Sequence, residues 1–377
     1  MGCGTLPNRH GRVPHPQQAA RFPLATASNR GEGVNGKDLF SKEWRERTRR
    51  QLFARHQLDA WVLLVATLLL LLLFWILEPK WLNQDTLQLL VAQYAPLALV
   101  SAAMTFSIIA GHIDLSPGSM IGLSGSVIGL VFTWTGDIWL SLLAGLGTAI
   151  GVGLLHSAFV AGLGINAIMV TLGTFIWARG LANGANAGMP ITVGGGIAGV
   201  VNASWGGFTL TAPVVIVAYL GAAYLLRRTR LGRYTYAMGG GQLSARRAGI
   251  NVALYTTGVF MMMATMIAAA TFITVGQLGS AAASAGTGME LNAIIAVVIG
   301  GSSLAGGTGS VGRTALGVAF IGILNSGLLN LGLTEAAFDL YSGLAFLAVL
   351  SVQVLIRRNV IEHERIPAVF ALEPGVS

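Results

Sequence analysis

The stretch Gly111-His112-Ile113-Asp114-Leu115-Ser116-Pro117-Gly118-Ser119 sets an acid, an imidazole and two hydroxyls into otherwise apolar sequence. Continuous helix is disfavoured there. Gly111 permits unusual dihedrals, Pro117 disfavours helix at Ser116, and the Pro117 ring suits the first turn of a following helix. Backbone groups freed by such a break must face protein or water, not lipid. Two readings stay open: a re-entrant element lining a path for a polar solute, or a short turn in which Ser116 and Asp114 cap the next helix. Ionisable groups inside apolar spans are costly enough to be functional candidates by default. Besides His112 and Asp114 these are His156, Glu290 and Asp339. Glu290 and Asp339 fall near predicted outer ends, where hydration accounts for them, and His156 reads as a satisfied buried histidine. No metal set, and no convincing pairing of nucleophile and base, emerges from these residues.

Two further stretches need weighing. Gly307-Thr308-Gly309-Ser310-Val311-Gly312 matches G-x-G-x-x-G, but neither a βαβ context nor a Gly-Lys-Ser/Thr ending accompanies it, so a tight turn is preferred to a phosphate cradle. The segment from Arg227 to Asn251 is too long for a turn. Gln242 to Ala248 allows about two helical turns, preceded by flexible glycine and stopped by Gly249. A short helix held between two spans is what a soluble motor needs in order to push on a membrane domain; the rival reading is a basic loop held by anionic lipid.

The elements that must position these residues follow from composition. With 54% hydrophobic and 10% charged residues, and a mean hydropathy of +0.69, the chain needs lipid as solvent. The 51 glycines are spread through the apolar runs, which suits spans packed backbone to backbone. Spans are predicted at 61–77, 87–110, 117–134, 138–162, 165–182, 211–226, 252–275, 289–300, 313–333 and 336–356. The fold class is therefore an all-α polytopic membrane protein of about ten transmembrane helices with broken or re-entrant segments.

The net charge of +8 does not point to nucleic acid, because the basic residues form blocks flanking apolar runs. Eleven Lys or Arg lie from Arg9 to Arg55, six from Arg227 to Arg247 and three from Arg357 to Arg365. The positive-inside rule makes all three blocks cytoplasmic, and the parity of six spans and then four agrees. This gives a basic, largely disordered tail over 1–57, with 1–40 the disordered part, a transmembrane domain over 58–358 and a tail over 359–377, with both termini cytoplasmic. Residues 183–210 form a long outer stretch open to an external partner. Cys3 is the only cysteine, so intrachain disulfides and cysteine-based metal sites are excluded. Ile108 to Leu115 is echoed by Val297 to Leu304, aligning Gly111 with Gly300, which hints at duplication of a broken helix.

Four stretches resemble the ribose/xylose/galactose-type ABC permease family. They are Gly111 to Ser119, Val170-Thr171-Leu172-Gly173-Thr174 with Arg179-Gly180-Leu181, Gly232 through Val252, and Glu290 through Val311. The chain departs from the pattern at His112, Ala167, Gly241, Ser244 and Arg247. The resemblance implies transport without covalent chemistry in this chain and without a cofactor or metal. It implies as partners an ABC ATP-binding subunit, a periplasmic or extracellular sugar-binding protein and a second permease chain, identical or not, within a bacterial inner membrane and its lipid. It makes His112, Asp114, Ser116, Ser119, Asn166 and Thr171 candidates for the substrate pathway, and Leu243, Arg246, Arg247 and Gly249 candidates for ATPase coupling. An ion-coupled secondary transporter of a small polar solute is the alternative.

Overall fold

The computed structural model describes residues 42–205, 208–333 and 335–363. The chain divides into two units, Met1–Ala54 and Arg55–Ser377. The expected disorder of residues 1–40 and the tail beyond 363 lie outside the described residues.

Thirteen α-helices are described: α1 Lys42–Leu77, α2 Gln84–Ile109, α3 Pro117–Thr135, α4 Ile138–Ser157, α5 Ala167–Ala185, α6 Gly194–Val201, α7 Thr211–Arg228, α8 Arg230–Gly240, α9 Gln242–Arg247, α10 Val252–Leu278, α11 Met289–Ile299, α12 Val311–Asn330 and α13 Glu335–His363. Six contain windows long and apolar enough to cross a membrane: Ala60–Leu77, Gln84–Ile109, Pro117–Thr135, Ile138–Gly162, Val252–Leu278 and Val311–Asn330. The first of the two shorter apolar helices, Met289–Ile299, spans only about 16 Å at 1.5 Å per residue. Helix α1 starts at Lys42, inside the stretch expected to be tail.

Side chains cap several helices: Asn83 Oδ1 accepts from Thr86 N, Asp137 Oδ1 from Trp139 N and Leu140 N, Asn166 Oδ1 from Ile168 N, and Asn251 Oδ1 from Leu254 N. Helix α4 ends in a π-helical turn, Ala158–Gly162.

Helix α2 is the axis of the bundle. Every residue from Ala95 to Ile109 is buried, as expected of a helix apolar all round. Helices α7, α10, α11 and α12 pack around it, α10 also packs on α4, and α3 lies between α4 and α5. Pro96 cannot donate the bond that a helix would direct to Ala92 O. Gln277 of α10 supplies it instead, with Nε2 2.6 Å from Ala92 O. The kink-prone point of the central helix is thus tied to the end of α10.

The stretch between α5 and α7 is anchored. Strand β1 (Ile191–Thr192) pairs antiparallel with β2 (Ser280–Ala281), Ile191 opposite Ala281. Val193, Ile197 and Val201 are buried, with Val201 against Gly276 of α10.

Candidate functional site

The break after α2 is closed by backbone geometry. Ala110 N donates to Phe106 O at 2.9 Å, Gly111 N to Ile108 O at 3.0 Å and His112 N to Ser107 O at 2.8 Å, with Gly111 at φ +83°. This is the pattern in which a left-handed glycine ends a helix. The chain then runs without regular structure to Pro117. Asp114 holds this stretch: its Oδ1 accepts from Ser116 N at 2.8 Å and from Ser116 Oγ at 2.7 Å. Ser119 Oγ donates to Ser116 O at 2.8 Å, and Thr171 Oγ1 of α5 accepts from Leu115 N at 3.1 Å. Ser116 occupies the N-cap position of α3 but makes no side-chain capping bond; its hydroxyl is spent on Asp114 and Met120. The turn is Asp114's work.

A second segment meets the first from the opposite direction. Between α10 and α11 the chain turns back along α3, with Ala281 beside Gly129, Ala283 beside Gly122 and Gly286 beside Gly118. A Cβ on any of these three α3 glycines would collide with that segment, so they form its bed. The register covers about 16 Å of helix axis. It delivers Glu290 to Gly118, at the start of α3, where it is buried. The expectation that Glu290 is hydrated at an outer end is therefore corrected: the apolar run reads in sequence as one span, whereas the chain before it doubles back along α3, a re-entrant stretch in that sense. Arg179 Nη1 donates to Ala283 O and to Ala285 O, fixing the re-entrant stretch. Arg179 Nη2, Glu290 Oε2 and Asp114 Oδ2 are buried without hydrogen-bond partners. Arg179 and Glu290 interact electrostatically; Glu290 is signalled in sequence as an ionisable residue within an apolar run, and Arg179 only as part of the Arg179-Gly180-Leu181 motif.

His112 and His156 both pack against the buried Phe260 ring, the first stacked and the second edge-on, with centroids 5.9 and 5.5 Å from it. His156 Nε2 is 2.8 Å from Thr174 Oγ1, and His112 Nε2 is 3.4 Å from Thr256 Oγ1. Among the described residues no group of three or more His, Cys, Asp or Glu could hold a metal ion.

The six proposed pathway residues divide into two sets. Asp114, Ser116, Ser119 and Thr171 come together and are fully buried, so in this structure they form a sealed polar seam. His112 and Asn166 instead line a cavity of about 430 Å³ with Thr256, Gln242, Arg246 and Leu304. Asn166 is also committed to capping α5.

The segment after α7 is more ordered than glycine content suggests. Helix α8 continues through Gly239 and Gly240, correcting the expectation of flexible glycine there. Helix α9 covers the predicted short helix, and Gly249 at φ +81° ends it with Gly249 N donating to Arg246 O and Ile250 N to Ala245 O. Leu243, Arg246 and Arg247 are exposed, while Ala245 is buried underneath. Tyr236 Oη donates to Gly309 O at 2.8 Å; burial pushes its hydroxyl pKa up and keeps that donor protonated.

The break after α11 repeats the first. Gly300 N donates to Ala296 O, Gly301 N to Val298 O and Ser302 N to Val297 O, with Gly301 at φ +79°. The equivalent of Gly111 is thus Gly301, one residue beyond the alignment expected from sequence. The two breaks touch, with Gly307 N donating to Ile109 O at 2.8 Å.

Residues 86–350 match the family described as branched-chain amino acid transport system / permease component. The chain belongs to this family. It is 32% identical to the ribose import permease protein of Escherichia coli (strain K12) over 276 residues, 70% of this chain and 85% of that protein. It is 29% identical over 324 residues to the xylose transport system permease protein of the same strain, 69% of this chain and 82% of that protein. To the fructose import permease protein of Rhizobium meliloti it is 32% identical over 267 residues, covering 68% and 74%. The resemblance carried by the four sequence stretches is borne out. The chain is a transport permease and a multi-pass membrane protein.

Proposed function

We propose that the chain is the membrane-spanning subunit of an ATP-binding cassette importer for a simple sugar of the pentose or hexose class. The observation that carries this is its similarity to three permeases that import three different sugars, ribose, xylose and fructose. The family description mentions branched-chain amino acids, but at that breadth a fold serves many solutes, and the individual relatives are the better guide. In this reading α5, α7, α11 and α13 join the six long apolar helices as spans or part-spans, making ten, with both termini in the cytoplasm of a bacterial inner-membrane protein. Leu243, Arg246 and Arg247 on the exposed face of α9 receive a separate ABC ATPase, a sugar-binding protein docks at the outer face, and a second permease chain completes the path. The seam of Asp114, Ser116, Ser119 and Thr171 opens toward the path during transport, with His112 and Asn166 on its inner side.

The combined change Leu243→Asp with Arg246→Glu tests this. Neither side chain is buried, so the permease should insert normally and lose ATPase co-purification and binding-protein-stimulated hydrolysis in reconstituted vesicles. Normal association and uptake would refute the ATP-driven reading and favour an ion-driven carrier. Uptake of leucine but of no pentose or hexose by the unmodified importer would refute the sugar assignment.

A further inference from the structure

Three backbones converge where α8 ends. A Cβ on Gly239 would fall on Ile109 O and on Gly307 N, and would lie 3.0 Å from Gly307 Cα. These are backbone atoms, which cannot swing aside as a side chain can. From the facing strand of chain, a Cβ on Gly306 would lie 3.0 Å from Gly239 O and 3.1 Å from Gly111 Cα. Tyr236, nearly one turn earlier in α8, adds its 2.8 Å bond to Gly309 O. Ile109 and Gly111 belong to the break after α2, and Gly306, Gly307 and Gly309 to the break after α11. The neighbouring Gly240 is different: nothing lies within 4 Å of a Cβ built on it.

Helix α9 has open space beside it. Its Gln242 and Arg246 line the cavity of about 430 Å³ whose other walls include His112, Ile113 and Leu304, again from both breaks. The α8–α9 pair is therefore gripped at one point and bordered by a cavity at another. A contact between backbones has no rotamer with which to absorb a displacement, and close-packed regions pass strain on.

We infer that Gly239 is a positioning residue that keys α8–α9 onto both helix breaks, so that displacement of α9 moves residues 109–116 and 302–309 together. This rests on the reading of α9 as the ATPase-docking helix. The sealed seam of Asp114 and Ser116 is then reached from the motor through Ile109 and Gly111, within a few residues of chain.

The test uses the whole importer, permease with ATPase and binding protein, in vesicles, and reads the ratio of solute imported to ATP hydrolysed. Gly239→Ala should keep ATPase co-purification and unstimulated hydrolysis, while the ratio falls about tenfold, within the usual range of a coupling factor. Gly240→Ala should leave the ratio unchanged. A merely structural role for Gly239 would lower abundance and leave the ratio alone. If Gly239→Ala does not accumulate, Tyr236→Phe decides, since it deletes one hydrogen bond without adding bulk; its ratio should fall about threefold, the worth of an average bond in a membrane protein. A ratio for Gly239→Ala equal to that of Gly240→Ala overturns the inference, as does an unchanged ratio for Tyr236→Phe. The Leu243→Asp, Arg246→Glu variant separates the two levels. If it retains ATPase association the proposed function fails, whereas if it loses association and the α8 variants keep a normal ratio, the keying role alone fails.

Discussion

Asp114→Ala and Asp114→Asn should part company in stability. Asp114 is fully buried, and its Oδ1 is the acceptor for both Ser116 N and Ser116 Oγ, at 2.8 and 2.7 Å. Either substitution removes the buried carboxyl group, so any relief of its desolvation is common to both and cancels in the comparison. Alanine also strands two sealed donors, at about 1–3 kcal/mol for each one left unsatisfied. Asparagine keeps an acceptor at Oδ1, while its amide nitrogen, in the place of the unpartnered Oδ2, strands one buried donor group of its own, which offsets one of the two that alanine strands. Partial relaxation of the Ser116 hydroxyl toward Met120 Sδ, already at 3.2 Å, reduces the alanine cost. The variants should then differ by about 2 kcal/mol, roughly thirtyfold in the folded-to-unfolded ratio. Denaturation from detergent micelles, followed by tryptophan fluorescence, measures that gap. Equal stabilities would refute the argument. They would mean that the two hydrogen bonds from Ser116 are not what holds the break.

Arg179→Met should loosen the re-entrant stretch by removing the donor shared by Ala283 O and Ala285 O. Hydrogen exchange over 280–288 should speed up by about tenfold, the equivalent of 1.4 kcal/mol, with α2 unaffected; unchanged exchange would show that the glycine bed of α3 suffices. In a variant lacking Cys3, single cysteines at positions 10, 195 and 370 should be labelled from outside only at 195. Labelling of 10 or 370 from outside, or failure at 195, would refute the ten-span orientation.

Much of the helical layout was legible because the signals are local. The starts of α3, α4, α10 and α11 coincide with predicted starts or fall close to them, since Pro117, Asp137 and Asn251 mark them in sequence. The break at Gly111 was legible for the same reason. What could not be read depends on partners distant in sequence. Helix α8 runs through Gly239 and Gly240, residues that disfavour helix by themselves, and at Gly239 the backbones of Ile109 and Gly307 lie close by. The turn-back of 279–288 along α3 has no period of its own, and it is defined by glycines more than 150 positions away. For that reason Glu290 looked peripheral and Asp114 looked the more important acid; both are buried with an unpartnered oxygen, and nothing in the structure ranks one above the other. The repeat was off by one residue because Gly300 and Gly301 are alike in sequence and differ only in φ.

The shortness of α11 constrains how the protein can be made. Its 11 residues reach about half the roughly 30 Å of a bilayer core. As it leaves the ribosome it presents an acid at one end and a glycine-rich loop at the other, with too little apolar length between to be retained by lipid alone. Its resting place is built from other segments: Glu290 lies against Gly118 of α3, and the backbone of Ala296 lies against Gly317 of α12. The amino-terminal part of that berth exists once α2 to α5 have entered, but the Gly317 side is synthesised afterwards. The complete berth of α11 therefore exists only after α12 has been synthesised, so α11 can reach the packing seen here no earlier than α12 does.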